Sequence, residues 1–134
     1  MITRKLSTAA AIGALALSGA FVPTLSSTAT ADVTPMVACG SGMVCIYPQV
    51  DYQGVPYVRR ATDGSTSLVN TSVNDRTFSV INNGASPRTA RIYRSSSYSG
   101  SWTCIQPGGR IADLQGYSVG QWGSSLKLNN DTCG

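Results

Sequence analysis

The side chains that could do chemistry in this 134-residue chain are few, and what is missing decides most. There is no His, and all six acidic residues are Asp: Asp32, Asp51, Asp63, Asp75, Asp113 and Asp131. Without His, neither a Ser-His-Asp nor a Cys-His nucleophile can be assembled, and His-based zinc sites are closed as well. A glycosidase needs two carboxylates facing each other across a bond, and nothing in the Asp spacing pairs them. No glycine-rich phosphate or dinucleotide fingerprint is present. An enzyme is not expected, which leaves four cysteines, an Asn74-Asp75 pair and the segment Trp102-Thr103-Cys104-Ile105 as candidates for binding.

The N-terminus says where those cysteines work. Arg4 and Lys5 precede an Ala/Leu/Gly-rich apolar stretch over residues 6–22, Pro23 breaks it, and Ala29-Thr30-Ala31 supplies small residues for a signal peptidase. Residues 1–31 read as a secretory signal peptide, too short in its apolar run to span a membrane stably. Residues 32–38, with Pro35, read as a flexible arm, and residues 39–134 as one domain. In a small exported chain, Cys39, Cys45, Cys104 and Cys133 serve as two disulfides rather than thiolates or zinc ligands. Three pairings are open. The one that keeps each bridge within its own half joins Cys39 to Cys45 and Cys104 to Cys133.

Removing Arg4 and Lys5 leaves eight basic residues against six Asp, a net charge of about +2. That is too little to argue for nucleic acid or an anionic membrane as partner. Arg88, Arg91 and Arg94 read as solvated charges.

The elements that position these residues repeat. Tyr47-x4-Tyr52-x-Gly54 recurs 46 residues later as Tyr93-x4-Tyr98-x-Gly100, and the same shift carries Ile46 to Ile92, Leu68 to Leu114, Val73 to Val119 and Ser79 to Ser125. One supersecondary unit is used twice, over about residues 44–81 and 90–127. β-Branched and apolar runs at 43–47, 55–58, 77–81, 90–93, 101–105 and 125–128 alternate with turn residues such as Asp63-Gly64 and Pro107-Gly108-Gly109. Helical periodicity is missing, beyond a single turn expected near residues 67–69 and 113–115. Two four-stranded units make an all-β Greek-key sandwich the natural closure. Within each unit the glycine supplies a backbone conformation closed to other residues. The two tyrosines then pack over the folded hairpin, and Ser79 or Ser125 caps its exposed backbone.

Tyr-x4-Tyr-x-Gly followed by a late Ser, twice over, resembles the βγ-crystallin Greek-key pair across residues 39–134. The resemblance implies calcium segments of the form Asn/Asp-Asn/Asp-x-x-Ser/Thr-Ser, shared between the two copies. Here the first copy reads Asn74-Asp75-Arg76-Thr77-Phe78-Ser79 and the second Gly120-Gln121-Trp122-Gly123-Ser124-Ser125. Asp75 with Ser124 keeps half a site, so at most weak calcium binding and no other cofactor is expected, since calcium wants about six to eight oxygens.

Cys39-x5-Cys45 before the first strand, together with Thr103-Cys104-Ile105 in the second motif, is similar to the streptomycete metalloproteinase inhibitors. That family's reactive bond is a Cys–Val in a Thr-Cys-Val segment. The resemblance implies a reactive site at Thr103, Cys104 and Ile105. Ile105 would fill the hydrophobic pocket of a secreted thermolysin-like metallopeptidase, and the Cys104 carbonyl would face its zinc. It departs from the family in having Gln106-Pro107-Gly108-Gly109 where a second, nearby Cys closes a tight loop. The sequence thus predicts a secreted, monomeric inhibitor presenting an exposed, rigid loop. The alternatives are a non-inhibitory structural or weakly calcium-binding module, and a small secreted toxin.

Overall fold

A computed structural model describes residues 36–134, and in it eight strands form two four-stranded antiparallel sheets. The first motif supplies β1 (Met43–Tyr47), β2 (Tyr57–Arg60), β3 (Thr66–Ser67) and β4 (Ser79–Asn82). The second supplies β5 (Thr89–Tyr93), β6 (Trp102–Ile105), β7 (Arg110–Ile111) and β8 (Ser125–Asn129). The 46-residue period is written into the ladders. Val44 faces Arg59 as Ala90 faces Ile105, and Ile46 faces Val80 as Ile92 faces Leu126.

The third strand of each motif crosses to the other motif's sheet. One sheet runs β2-β1-β4-β7 and the other β3-β8-β5-β6, with β7 paired to β4 and β3 to β8. Each sheet is therefore incomplete without the opposite motif. Between the sheets lies one core that draws on both copies, including Val44, Ile46, Leu68, Val80 from the first and Ile92, Leu114, Leu126 from the second. Each crossing strand spans two residues, too short to leave an alternation in sequence, and neither is among the six runs read there. Among the described residues the helical element is a three-residue 3-10 turn, Val50–Tyr52. The single turns expected near 67–69 and 113–115 form as hydrogen-bonded turns, the Thr71 amide donating to the Leu68 carbonyl (2.9 Å) and the Tyr117 amide to the Leu114 carbonyl (2.9 Å).

The outer face of each sheet is packed by a segment that flanks the two motifs. On the first, Cys45, Tyr47 and Ile81 form a second buried cluster with Cys39, Met43 and Tyr52 packed against it. The Tyr47 hydroxyl donates to the Val37 carbonyl (2.7 Å), the Asn83 side-chain amide donates to the Cys39 carbonyl (2.7 Å), and Cys39 is bonded to Cys45. The arm is thus held at Val37. On the second sheet Cys104 is bonded to Cys133, and the Thr89 hydroxyl donates to the Asp131 carbonyl at 2.8 Å. The signal-peptide assignment, residues 1–31, falls outside the described residues. No helix among the described residues is long and apolar enough to cross a membrane.

Candidate functional site

The two aromatic hairpins are built to one plan. Tyr47 and Tyr52 meet edge to face with ring centroids 5.8 Å apart, as do Tyr93 and Tyr98 at 6.5 Å. Gly54 and Gly100 have φ of 86° and 79°, in the left-handed region that favours glycine. The Ser79 hydroxyl accepts from the Tyr52 amide (3.0 Å) and donates to the Gln49 carbonyl (2.7 Å). Ser125 does the same for the Tyr98 amide (3.2 Å) and the Ser95 carbonyl (2.6 Å). Each Ser closes its hairpin at both ends.

The Trp102–Ile105 segment is a strand, not a protruding loop. It forms β6, the edge of the second sheet, paired on one side only with β5. Alternation puts Thr103 and Ile105 inward, 6% and 3% exposed, and leaves Trp102 40% exposed on the outer face beside half-buried Cys104. Ile105 belongs to the core cluster. The expectation that its side chain fills a peptidase pocket is corrected here: delivering it would mean pulling a core residue out of the sandwich. Thr103 is likewise committed, its hydroxyl accepting from the Val119 amide at 3.3 Å.

What β6 does offer is backbone. The Arg94 amide donates to the Ser101 carbonyl (2.9 Å), so residues 94 and 101 form a hydrogen-bonded pair. In an antiparallel ladder such pairs alternate, so Thr103 and Ile105 also bond toward β5. The amides and carbonyls of Trp102 and Cys104 then point to the free edge.

That edge is held rigidly. The side-chain amide of Asn82, fully buried, donates to the Ile105 carbonyl (3.0 Å) and the Arg88 carbonyl (3.0 Å), while its oxygen accepts from the Gly84 amide (2.9 Å). Its backbone amide donates to Gly109 (2.9 Å) and its carbonyl accepts from Gly108 (2.7 Å). One residue thereby clamps the end of β6 and the turn after it. Asn82 was not singled out from sequence, where Asn82-Asn83-Gly84 reads only as a turn.

Arg91 is not a solvated charge. Its guanidinium lies 4.8 Å from the Trp102 ring centroid, pairs with Asp131 at 3.4 Å and donates to the Thr132 carbonyl, so it welds the C-terminal segment to β5 and β6. Burial pushes the Tyr47 phenol above its ordinary 10.0, with Tyr52 adding to the rise. Tyr52 is raised as well, by burial first, against a lowering from Arg110 and with a further rise from Asp51.

For calcium the oxygens are sparse. Ser124 donates to Asp75 Oδ1 (3.2 Å), Asn74 Nδ2 donates to Asp75 Oδ2 (3.1 Å), and Asn74 Oδ1 is buried with no partner. These could hold a cation as four side-chain oxygens from three residues, bearing one charge. The equivalent place in the other copy pairs Gln121 with Phe78 and does not fit. Among the described residues no group of three His, Cys, Asp or Glu is gathered.

Residues 34–105 match the peptidase inhibitor family I36. No curated protein matches the chain. Among solved structures, one from work on the evolution of the eye-lens βγ-crystallin domain fold shares 18% identity at a TM-score of 0.60, over 73% of this chain and 96% of that one. The Ca2+-bound βγ-crystallin domain of the abundant perithecial protein of Neurospora crassa shares 18% identity at 0.55, over 73% and 97%. A βγ-crystallin from Ciona intestinalis shares 19% at 0.53, over 66% and 100%. At such identities the likeness shows the fold, an all-β βγ-crystallin-type sandwich.

Proposed function

The chain belongs to peptidase inhibitor family I36, and from that premise we propose that it inhibits a secreted, thermolysin-like zinc metallopeptidase through the edge of β6. The family is one of inhibitors rather than enzymes. The reading is carried by one observation: a strand whose free edge offers the Cys104 backbone while its side chains on the inner face are locked in a core. Peptidases bind substrates as extended chains, and an exposed sheet edge is that conformation with its ordering cost already met.

In this mechanism the Cys104 carbonyl is offered to the peptidase's zinc as a substrate carbonyl would be. The bond that follows resists turnover because its far side cannot leave. Ile105 is anchored by its buried side chain, by its pairing with Ala90 and by the Asn82 amide on its carbonyl. The Cys104–Cys133 bridge holds the near side to the C-terminal segment. The protein works outside the cell as a monomer, and two disulfides with no free cysteine among the described residues suit that compartment.

Titration of the purified mature protein against a thermolysin-type peptidase should show stoichiometric loss of activity. A protein inert toward several such enzymes would overturn the metallopeptidase reading. Calcium is at most a weak ligand at Asp75, Ser124 and Asn74. A micromolar site would add about 4 kcal/mol at millimolar ion, whereas this set should leave the melting temperature almost unmoved. A rise of many degrees that disappears in Asp75→Ala would reverse that conclusion.

A further inference from the structure

The two Tyr-x4-Tyr-x-Gly hairpins share a plan but not a setting. In the first, the Asp51 amide donates across to the Ala112 carbonyl (2.8 Å), and Gly54 is buried with a would-be Cβ 2.9 Å from Pro48 Cγ. In the second, the Ser97 amide, counterpart of Asp51, turns back to the Ser95 hydroxyl (3.3 Å), and nothing approaches Gly100. Residues 96–102 are all exposed, including Tyr98 at 38% and Trp102 at 40%.

This bare hairpin is nevertheless ordered by its own bonds. The Ser95 amide donates to the Ser99 carbonyl (3.2 Å), and the hydroxyls of Ser95, Ser97 and Ser99 link in a row at 2.9 and 3.2 Å. Ser125 pins it from beneath, and Tyr93 supports both the Tyr98 and the Trp102 rings. A rigid Ser/Gly surface carrying exposed Tyr and Trp is the composition of protein-recognition loops, because such aromatics bring much contact area at little entropic cost.

We propose that residues 95–102 form a second contact with the inhibited peptidase, outside its catalytic cleft, where Tyr98 and Trp102 bury against an apolar recess and set which enzyme is recognised. The inference rests on the inhibitory role proposed for β6. The peptidase is the occupant because the hairpin runs directly into Trp102, the first residue of β6, so an enzyme seated on that edge passes over it. The segment contains no acidic residue and is preceded by exposed Arg94, which favours a recess with a neutral or acidic rim.

The test compares Tyr98→Ser and Ser96→Glu with Thr62→Glu, an exposed position in the first motif, measuring inhibition constants against a thermolysin-type peptidase and melting temperatures together. Both hairpin variants should weaken inhibition about tenfold or more while remaining folded, and Thr62→Glu should stay within about twofold. Ser96 is exposed, so Ser96→Glu reads out even if losing the Tyr98 ring loosens the hairpin. Hairpin variants that inhibit as well as wild type would refute the second contact and leave the β6 reading standing. Wild-type protein that inhibits no such peptidase would bring down both.

Discussion

Replacing Asn82 by Ala should damage the molecule out of proportion to its size. The substitution deletes two donors and one acceptor at a fully buried position. The Arg88 carbonyl and the Gly84 amide are left without those partners, and each buried orphan costs about 1–3 kcal/mol, while the Ile105 carbonyl keeps its β5 partner and loses only its second donor. Arg88 lies near the surface, where water recovers part of its share, so the total should be about 2–4 kcal/mol. A domain of this size has only about 5–15 kcal/mol to lose. Asn82→Asp keeps the acceptor for Gly84 but turns a carboxylate oxygen toward two carbonyls, and should be at least as harmful. Guanidinium denaturation gives the loss as a lower midpoint at unchanged slope. Amide exchange at Gly108, which donates to the Asn82 carbonyl, should quicken as the turn loosens. If the clamp also protects the bond after Cys104, a thermolysin-type peptidase should cut Asn82→Ala there faster than wild type. A loss below about 1 kcal/mol, with wild-type exchange at Gly108, would refute the account.

The remaining predictions follow from burial and covalent ties. Ile105→Asp should unfold the protein rather than merely disarm it, because a charge would enter the core. Ile105→Val should cost about 0.5–1.5 kcal/mol and leave inhibition intact, as circular dichroism and titration would show. Opening Cys104–Cys133, 29 residues apart, should cost about 3–4 kcal/mol against about 2 kcal/mol for Cys39–Cys45, 6 apart, and paired Cys→Ser variants compared by denaturation would rank them. The raised phenols of Tyr47 and Tyr52 bind their protons more tightly folded than unfolded. Their stabilisation is complete below about pH 10 and lost as pH rises through the folded values. Tyr47→Phe should flatten that alkaline decline while losing about 1 kcal/mol with the bond to Val37.

The fold was legible in the sequence because its signals are local and occur twice. A constant 46-residue shift of Tyr, Gly, Ser and apolar positions reports a repeated backbone, and the ladders keep that shift in register. The missing His was enough to exclude the common catalytic constellations. What sequence could not convey is which side of β6 is buried. Period two separates Trp102 and Cys104 from Thr103 and Ile105, but choosing the inner pair requires the partner strand and the opposing sheet. That choice moved Ile105 from a supposed recognition residue to a core anchor. The same holds for Asn82, a turn residue by composition and a clamp only because β4, β6 and the following turn converge on it. The exchange of third strands between motifs is likewise invisible from within either copy. A side chain's type is set by its codon, but its face, its partners and its exposure are fixed by chain brought from dozens of residues away.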